Sequence, residues 1–379
     1  MLVIMFWGLL FCSFYSYLLY PFLLLLLNRS KAERKTPTPV QTAQTYTLIV
    51  TVFNEKDRIR RKLDNLLLLQ YEPAQLELLV SSDCSDDGTD EIVKEYADRG
   101  VRLVRATERL GKENAQMAAI QVASGDILVF SDVATEMDSD AVLKLDTYFK
   151  DESVGAVSSE DRIITRSGAL AGEGAYVKYE MWLRQQESAL GGLVGLSGSF
   201  FAARKTVCAE WDIHSPSDFN TALNCVRLGL RSVSAPDVHG YYQDLKDPTK
   251  EYARKVRTVL RGMTGLSRHL DVLNVGRFGW FAFQVFSHKL MRWGVPWFLL
   301  ALLVVSVLLV DQGWVYQAAL AGQVAFYAVA LLAHVNASVR RIGLAKLGYF
   351  FVQVNLAVML STVKFFMGTR MTIWKPSSR

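Results

Sequence analysis

The chain has 379 residues, is 51% apolar and carries a formal net charge of +5, with a mean hydropathy of +0.16 that is high for a soluble protein. The apolar excess sits in blocks at 2–27, 295–310, 315–335 and 347–367, so a wholly soluble enzyme is excluded and a membrane protein with a polar middle is expected. The mild positive charge lies beside those blocks, which points to membrane lipids and against nucleic acid as its partner. Cys12, Cys84, Cys208 and Cys225 show neither metal nor disulfide spacing, which suits a reducing compartment.

The first block runs too long for the core of a signal peptide and has no basic residue ahead of it, so residues 1–28 are expected to be a transmembrane helix. Arg29, Lys31, Arg34 and Lys35 follow in a basic linker over 29–45, and the positive-inside rule then places the polar middle in the cytoplasm. Within 46–261 the pattern alternates in type. Residues 48–53, 76–80, 101–104 and 126–132 read as strands; 56–70, 90–98 and 112–123 read as helices, the first with Ile59, Leu63, Leu66 and Leu67 on one face. Such alternation predicts an α/β domain with a parallel or mostly parallel sheet flanked by helices. Beyond Phe149 the alternation weakens, and the Gly-rich stretch 191–199 reads as a loop.

Residues 262–293 mix aromatic and basic side chains as an interfacial helix does, with the leading end of the next span as the alternative. Spans are expected at 294–311 and 315–335, joined as a tight hairpin through Asp311-Gln312-Gly313-Trp314. Arg340, Arg341 and Lys346 mark a return to the cytoplasm. The block 347–367 either crosses again or is re-entrant, and 368–379 is a cytoplasmic-type tail.

Four polar clusters fall at the ends of the predicted strands. Thr51-Val52-Phe53-Asn54-Glu55 ends the first strand, and Asp83-Cys84-Ser85-Asp86-Asp87-Gly88-Thr89 ends the second. Carboxylates and hydroxyls before a glycine can bind a base edge and ribose hydroxyls, or they can simply cap the next helix through Asp87 or Thr89. Arg109-Leu110-Gly111-Lys112 is a basic loop feeding a helix N-terminus, as a diphosphate requires, and a solvated charged turn is the plain alternative. Asp132 closes an all-apolar strand at the sheet edge where open α/β folds bind ligands, and carboxylates without sulfur nearby suit a hard divalent cation.

Taken in order, Phe53-Asn54-Glu55, Asp83 to Thr89, Arg109 to Lys112 and Ser131-Asp132 resemble the donor-binding motifs of family 2 inverting glycosyltransferases with a GT-A fold. Gly195-Leu196-Ser197-Gly198-Ser199 is similar to that family's acceptor-side loop, and Ser217-Asp218-Phe219 to its segment carrying the catalytic base. The hydrophobic flanks resemble the membrane-embedded members that make hyaluronan, chitin, poly-N-acetylglucosamine and cellulose. The resemblance implies a UDP-sugar donor, a polysaccharide or lipid acceptor, Mg2+ or Mn2+ as cofactor, and a bacterial inner membrane with the catalytic domain on its cytoplasmic side. Polymer export leaves room for an export partner or a homo-oligomer.

It also assigns roles. Phe53, Glu55, Asp83 and Asp86 would hold the nucleoside, Arg109 and Lys112 would approach the diphosphate, and Asp132 would touch nucleotide and metal. Gly195, Ser197, Gly198 and Ser199 would face the acceptor, and Asp218 would take the proton from its attacking hydroxyl, with capping of the next helix as the alternative or additional role. Two departures stand out. The family's Asp-any-Asp metal motif reads Asp132-Val133-Ala134 here, so either Glu136 or His239 replaces the second ligand or the metal leans on the diphosphate. The Gln-any-any-Arg-Trp motif of processive members has Arg254-Lys255-Val256-Arg257-Thr258 as its best counterpart, which keeps Arg254 and Arg257 for a diphosphate or a membrane surface but lacks Gln and Trp. Tyr241, Tyr242, Trp182 and Trp211 are then alternative stacking faces for the acceptor sugar.

Overall fold

A computed structural model describes residues 1–29, 44–164, 175–243 and 248–371. Eight strands form one sheet: β1 (Tyr46–Val52), β2 (Leu76–Ser82), β3 (Val101–Arg105), β4 (Ile127–Asp132), β5 (Glu136–Met137), β6 (Val154–Ile164), β7 (Phe200–Arg204) and β8 (Arg231–Gln243). Their order is β3-β2-β1-β4-β7-β6-β8-β5. β1 runs parallel to β2 and β4, and β2 to β3, whereas β7 is inserted antiparallel between β4 and β6. β6 and β8 are again parallel, with β5 antiparallel at the edge. The sheet is therefore mostly parallel, as the alternation of strand and helix implied.

The continuous apolar character of β1 follows from burial on both faces. Leu48, Val50 and Val52 face one layer, where they meet Ile59, Leu63 and Leu66 of the helix Lys56–Leu66 and Val142 and Leu145 of Ala141–Phe149. Ile49, with Leu79, Leu128 and Phe130 from the neighbouring strands, faces the other layer, made of Ala119 and Ile120 from Lys112–Val122, Leu193, Leu196 and Cys225. The register aligns the polar ends of the central strands: Thr51 lies opposite both Ser81 of β2 and Asp132 of β4.

The expected helix over 90–98 is a shorter helix, Thr89–Lys94, followed by a 3-10 turn, Ala97–Arg99, that Gly100 ends with φ +85. Residues 191–199 form the expected loop, and Phe200 opens β7. The helices Leu2–Arg29, Val275–Leu308, Trp314–Val335 and Gly343–Phe366 are long and apolar enough to cross a membrane. The segments 278–293 and 295–308 belong to one helix, which continues from Phe286 to Leu290 through a wider π turn, so no break separates them at 293/294. Gly279, with φ +51, departs from helical geometry near its start.

The described residues divide into two units: those within Met1–Leu23, Asp247–Met263 and Gln284–Arg370, and those within Leu24–Lys246, Thr264–Phe283 and Met371–Arg379. Inside the first, the Tyr15 hydroxyl lies 2.9 Å from Ser287 Oγ, and Ser361 Oγ donates to the Val256 carbonyl at 3.0 Å. The second holds the sheet and every site residue considered below except Arg254 and Arg257.

Candidate active site

The tips of β1 and β2 are stitched together by side chains. The Asn54 side chain donates to Asp86 Oδ1 at 2.7 Å and accepts from the Asp86 amide at 3.0 Å, while the Glu55 amide donates to Thr89 Oγ1 at 2.9 Å. Asn54 and Cys84 hold left-handed backbone, φ +51 and +61, where the chain turns at the strand ends. Asp87 accepts from the Thr89 amide and from the Lys56 amide, tying the starts of two helices together, while Gly88 is the N-cap of Thr89–Lys94. Asp83 is different: fully buried, it accepts from the Gly111 amide at 3.1 Å and thereby ties the β2 tip to the basic loop. Arg109 of that loop lies over the Phe53 ring, 3.7 Å from its centroid, a cation–π contact that makes a flat platform at the site.

Burial pushes the carboxyls of Glu55 and Asp83 above their usual range. At Glu55 the Arg58 guanidinium, 2.8 Å away, pulls against that rise and the charge of Asp132 adds to it. At Asp83 the Gly111 amide and Arg109 oppose it.

Lys112 joins the tip of β4 to the loop before β7. Its Nζ lies 2.6 Å from Asp132 Oδ1 and donates to the Gly198 carbonyl at 2.9 Å. Asp132 in turn receives its backbone contact from this loop, its amide donating to Ser199 O at 2.9 Å. Gly198 backs onto Asp218: a Cβ added there would lie 3.6 Å from Asp218 Oδ2. Asp132, Lys112, Gly198 and Asp218 are thus linked by successive contacts. The loop itself is held by Asp161 of β6, a carboxylate the sequence patterns do not single out, which accepts from Ser197 Oγ at 2.8 Å and from Ser199 Oγ at 2.5 Å. Gly195 precedes these contacts, and the Leu196 amide donates to the Asp218 carbonyl at 3.2 Å.

Asp218 does not cap its helix. The helix is Ser217–Arg227, its N-cap is Pro216, and Asp218 sits in the first turn, where the helix dipole favours a carboxylate. Both ends of this helix are anchored by a charged cluster. Arg227 pairs with Asp271 at 2.6 Å, and Asp212, just before the helix, accepts from Arg268 Nε at 2.7 Å and Ser215 Oγ at 2.8 Å. Burial works against the Asp212 carboxylate, but Arg268, the His214 amide and Ser215 outweigh it and hold its pKa at about 2. A carboxyl lowered in the folded state stabilises it above the unfolded pKa of about 4 and loses that contribution as pH falls towards 2. Asp212→Asn is therefore expected to cost about 1 kcal/mol at neutral pH, allowing for solvent screening, with the difference from wild type shrinking below pH ~4 in thermal unfolding.

Two of the expected metal residues have partners of their own. Glu136 of β5 is ion-paired with Arg61, and His239 Nδ1 lies 3.2 Å from Asp138 Oδ2. Among the described residues no group of three His, Cys, Asp or Glu side chains is placed to hold a metal ion. Asp132 itself is half-buried, with Oδ1 on Lys112. Trp211 is taken out of the set of stacking faces because it stacks on Phe130 at 5.1 Å in the core, its Nε1 donating to Glu113 O at 2.9 Å. Arg254 and Arg257 lie on the helix Pro248–Arg268, within the unit that holds the long apolar helices.

Lys62 was invisible as a site residue in the motif reading and is the main addition. It is 1% exposed, donates to Ser131 Oγ at 2.8 Å and to the Thr135 carbonyl, and so sits beneath the turn that carries Asp132. Burial pushes its ammonium down to about 7 against the pull of Asp132 and Glu136. The sequence did hold a signal: Lys62 falls with Ile59, Leu63 and Leu66 on the stripe i, i+3, i+4, i+7, where a lysine is out of place.

Residues 47–210 match the family model described as Glycosyl transferase family 2. The chain is 28% identical over 192 residues to a poly-beta-1,6-N-acetyl-D-glucosamine synthase of Staphylococcus aureus, covering 48% of this chain and 46% of that protein. It is 29% identical over 180 residues to a beta-monoglucosyldiacylglycerol synthase of Trichormus variabilis, covering 45% of this chain and 38% of that one. The matches thus span less than half the length of these curated relatives. A mannosyltransferase from Pyrobaculum calidifontis, solved in complex with GDP-Man and Mn2+, superposes with a TM-score of 0.75 over 98% of this chain and 100% of its own, at 20% identity, a likeness of fold. Residues 47–210 thus match a family 2 glycosyltransferase domain, on a sheet with the GT-A fold, accompanied in this chain by long apolar helices that are candidate membrane spans.

Proposed function

We propose that this chain is an inverting hexosyltransferase that moves a sugar from a UDP-sugar to the hydroxyl of a growing β-linked polysaccharide at the cytoplasmic face of a membrane. The observation that carries the reading is the run of contacts from Asp132 through Lys112 to Gly198 and Asp218, which sets a donor-side acid and an acceptor-side acid on either side of one lysine. Phe53, Glu55, Asp83 and Asp86 bind the nucleoside, with Arg109 and Lys112 on the diphosphate. Asp218 accepts the proton of the acceptor hydroxyl as that oxygen attacks the anomeric carbon and the bond to the departing UDP breaks. Lys112 stabilises the negative charge that gathers on the leaving diphosphate.

Mg2+ or Mn2+ fits this site through Asp132 alone, because such hard ions are commonly held by one or two carboxylates and the substrate's own phosphates. When bound, the ion supplies further charge neutralisation to the diphosphate. Chelation by EDTA is expected to remove transfer and added Mn2+ or Mg2+ to restore it; undiminished transfer in EDTA rejects the ion.

Transfer of one sugar to a membrane lipid is the second reading, favoured by the absence of Gln and Trp around Arg254 and Arg257. Incubating the purified full chain in detergent or vesicles with labelled UDP-glucose, UDP-N-acetylglucosamine or UDP-glucuronate, and sizing the product, separates the two. A polymer ladder supports the first and a single glycolipid the second. No transfer from any UDP-sugar, with transfer from GDP-mannose, contradicts the choice of donor.

A further inference from the structure

The turn that bears Asp132 is stapled from below by one helix, Lys56–Leu66. Asn65 exchanges hydrogen bonds with the Met137 backbone, its Nδ2 donating to the carbonyl and its Oδ1 accepting from the amide, each at 3.0 Å. Arg61 pairs with Glu136 at the surface. Lys62 reaches furthest in and binds both sides of the turn, Ser131 Oγ before Asp132 and the Thr135 carbonyl after it. Both of the atoms it binds are neutral, so no carboxylate is spent on its charge.

A buried ammonium is costly to desolvate, and hydrogen bonds to a hydroxyl and a carbonyl recover only part of that cost. A methionine of the same length would fill this position more cheaply if packing were all that mattered. Lys62 and Lys112 flank Asp132, and Arg61 pairs with Glu136, so the carboxylates around this turn are matched by cations. That balance stands at a place where the second acid of the metal motif is replaced by Ala134.

We propose that Lys62 is a positioning residue for donor binding, fixing the turn 131–135 and supplying an internal positive charge beneath Asp132. This rests on Asp132 belonging to the donor site. The cation acts through Asp132 and the turn and does not touch the nucleotide.

The test compares Lys62→Met with Asn65→Ala in the full chain, measuring UDP and GDP affinity by titration in Mg2+ buffer at equal folded fraction, together with donor KM and kcat. Lys62→Met is expected to weaken nucleotide binding about 10-fold to 100-fold, with most of the loss in donor KM, as removal of a supporting residue behind a ligand-binding carboxylate does. Asn65→Ala, which loosens the same turn without removing charge, is expected to bind as wild type does. Unchanged affinity in Lys62→Met, or parallel losses in both variants that track their melting temperatures, overturns the proposal. Should Lys62→Met fail to fold, Ser131→Ala removes one of the lysine's two acceptors, and wild-type affinity in that variant overturns it equally. If the wild type binds neither nucleotide, the donor-site reading fails and this inference fails with it; if the wild type binds and Lys62→Met matches it, this inference alone fails.

Discussion

Asp218→Asn is expected to lower the rate of sugar transfer by about 10²-fold to 10⁴-fold, the range for loss of a general base, while UDP affinity stays at the wild-type value. The amide keeps the shape of the carboxylate and its place in the first turn of Ser217–Arg227, so the variant should fold. It cannot take a proton from the acceptor hydroxyl. Asp218 faces Gly198 of the proposed acceptor loop, whereas the proposed nucleotide contacts lie at the tips of β1, β2 and β4, which is why binding and turnover should separate. Rapid-mix product assays beside UDP titrations check this. Full turnover by the variant rejects the assignment, and equal losses in binding and turnover move Asp218 to the donor side.

Lys112→Met is expected to lose on both counts. The ammonium holds Asp132 at 2.6 Å and the Gly198 carbonyl at 2.9 Å, and its side chain is only 9% exposed, so the variant leaves two acceptors facing each other without their shared donor. We expect kcat/KM for the donor to fall about 10²-fold to 10³-fold, the scale for removing one group that stabilises developing charge. Nucleotide affinity should drop as well, which distinguishes this variant from Asp218→Asn. A Lys112→Met enzyme with wild-type donor affinity would show that the lysine serves only to tie the acceptor-side loop.

The strands that carry the proposed donor residues were readable because they are short, apolar and parallel, each ending on a polar cluster, and the register places Thr51 beside both Ser81 and Asp132. Asp83, Asp132 and Lys112 could be read for the same reason: each is the first charged residue after an apolar or glycine-bounded run. The outer strands were harder. β6 carries the polar run Ser158-Ser159-Glu160-Asp161-Arg162, and β8 contains Pro236 and Gly240, residues that argue against a strand. Pairing in the folded sheet overrides them: the register shifts between Ser158 and Glu160, whose partners are Ser234 and His239, so β8 absorbs its proline in an irregularity. Asp161 was missed with β6, since only tertiary pairing brings it against Ser197 and Ser199. Glu136 and His239 show a related limit: their pairing with Arg61 and Asp138 is set by tertiary structure and is not written in any motif.

The continuity of the donor and acceptor sides is best tested by a structure of the full chain determined with UDP and Mn2+. The account predicts the uracil and ribose against Asp83 and the Phe53–Arg109 platform, the diphosphate at Lys112 and Asp132, and an open position for the acceptor beside the Asp218 carboxylate. Nucleotide bound elsewhere on the sheet, or bound here with Asp218 turned away from the diphosphate, contradicts it.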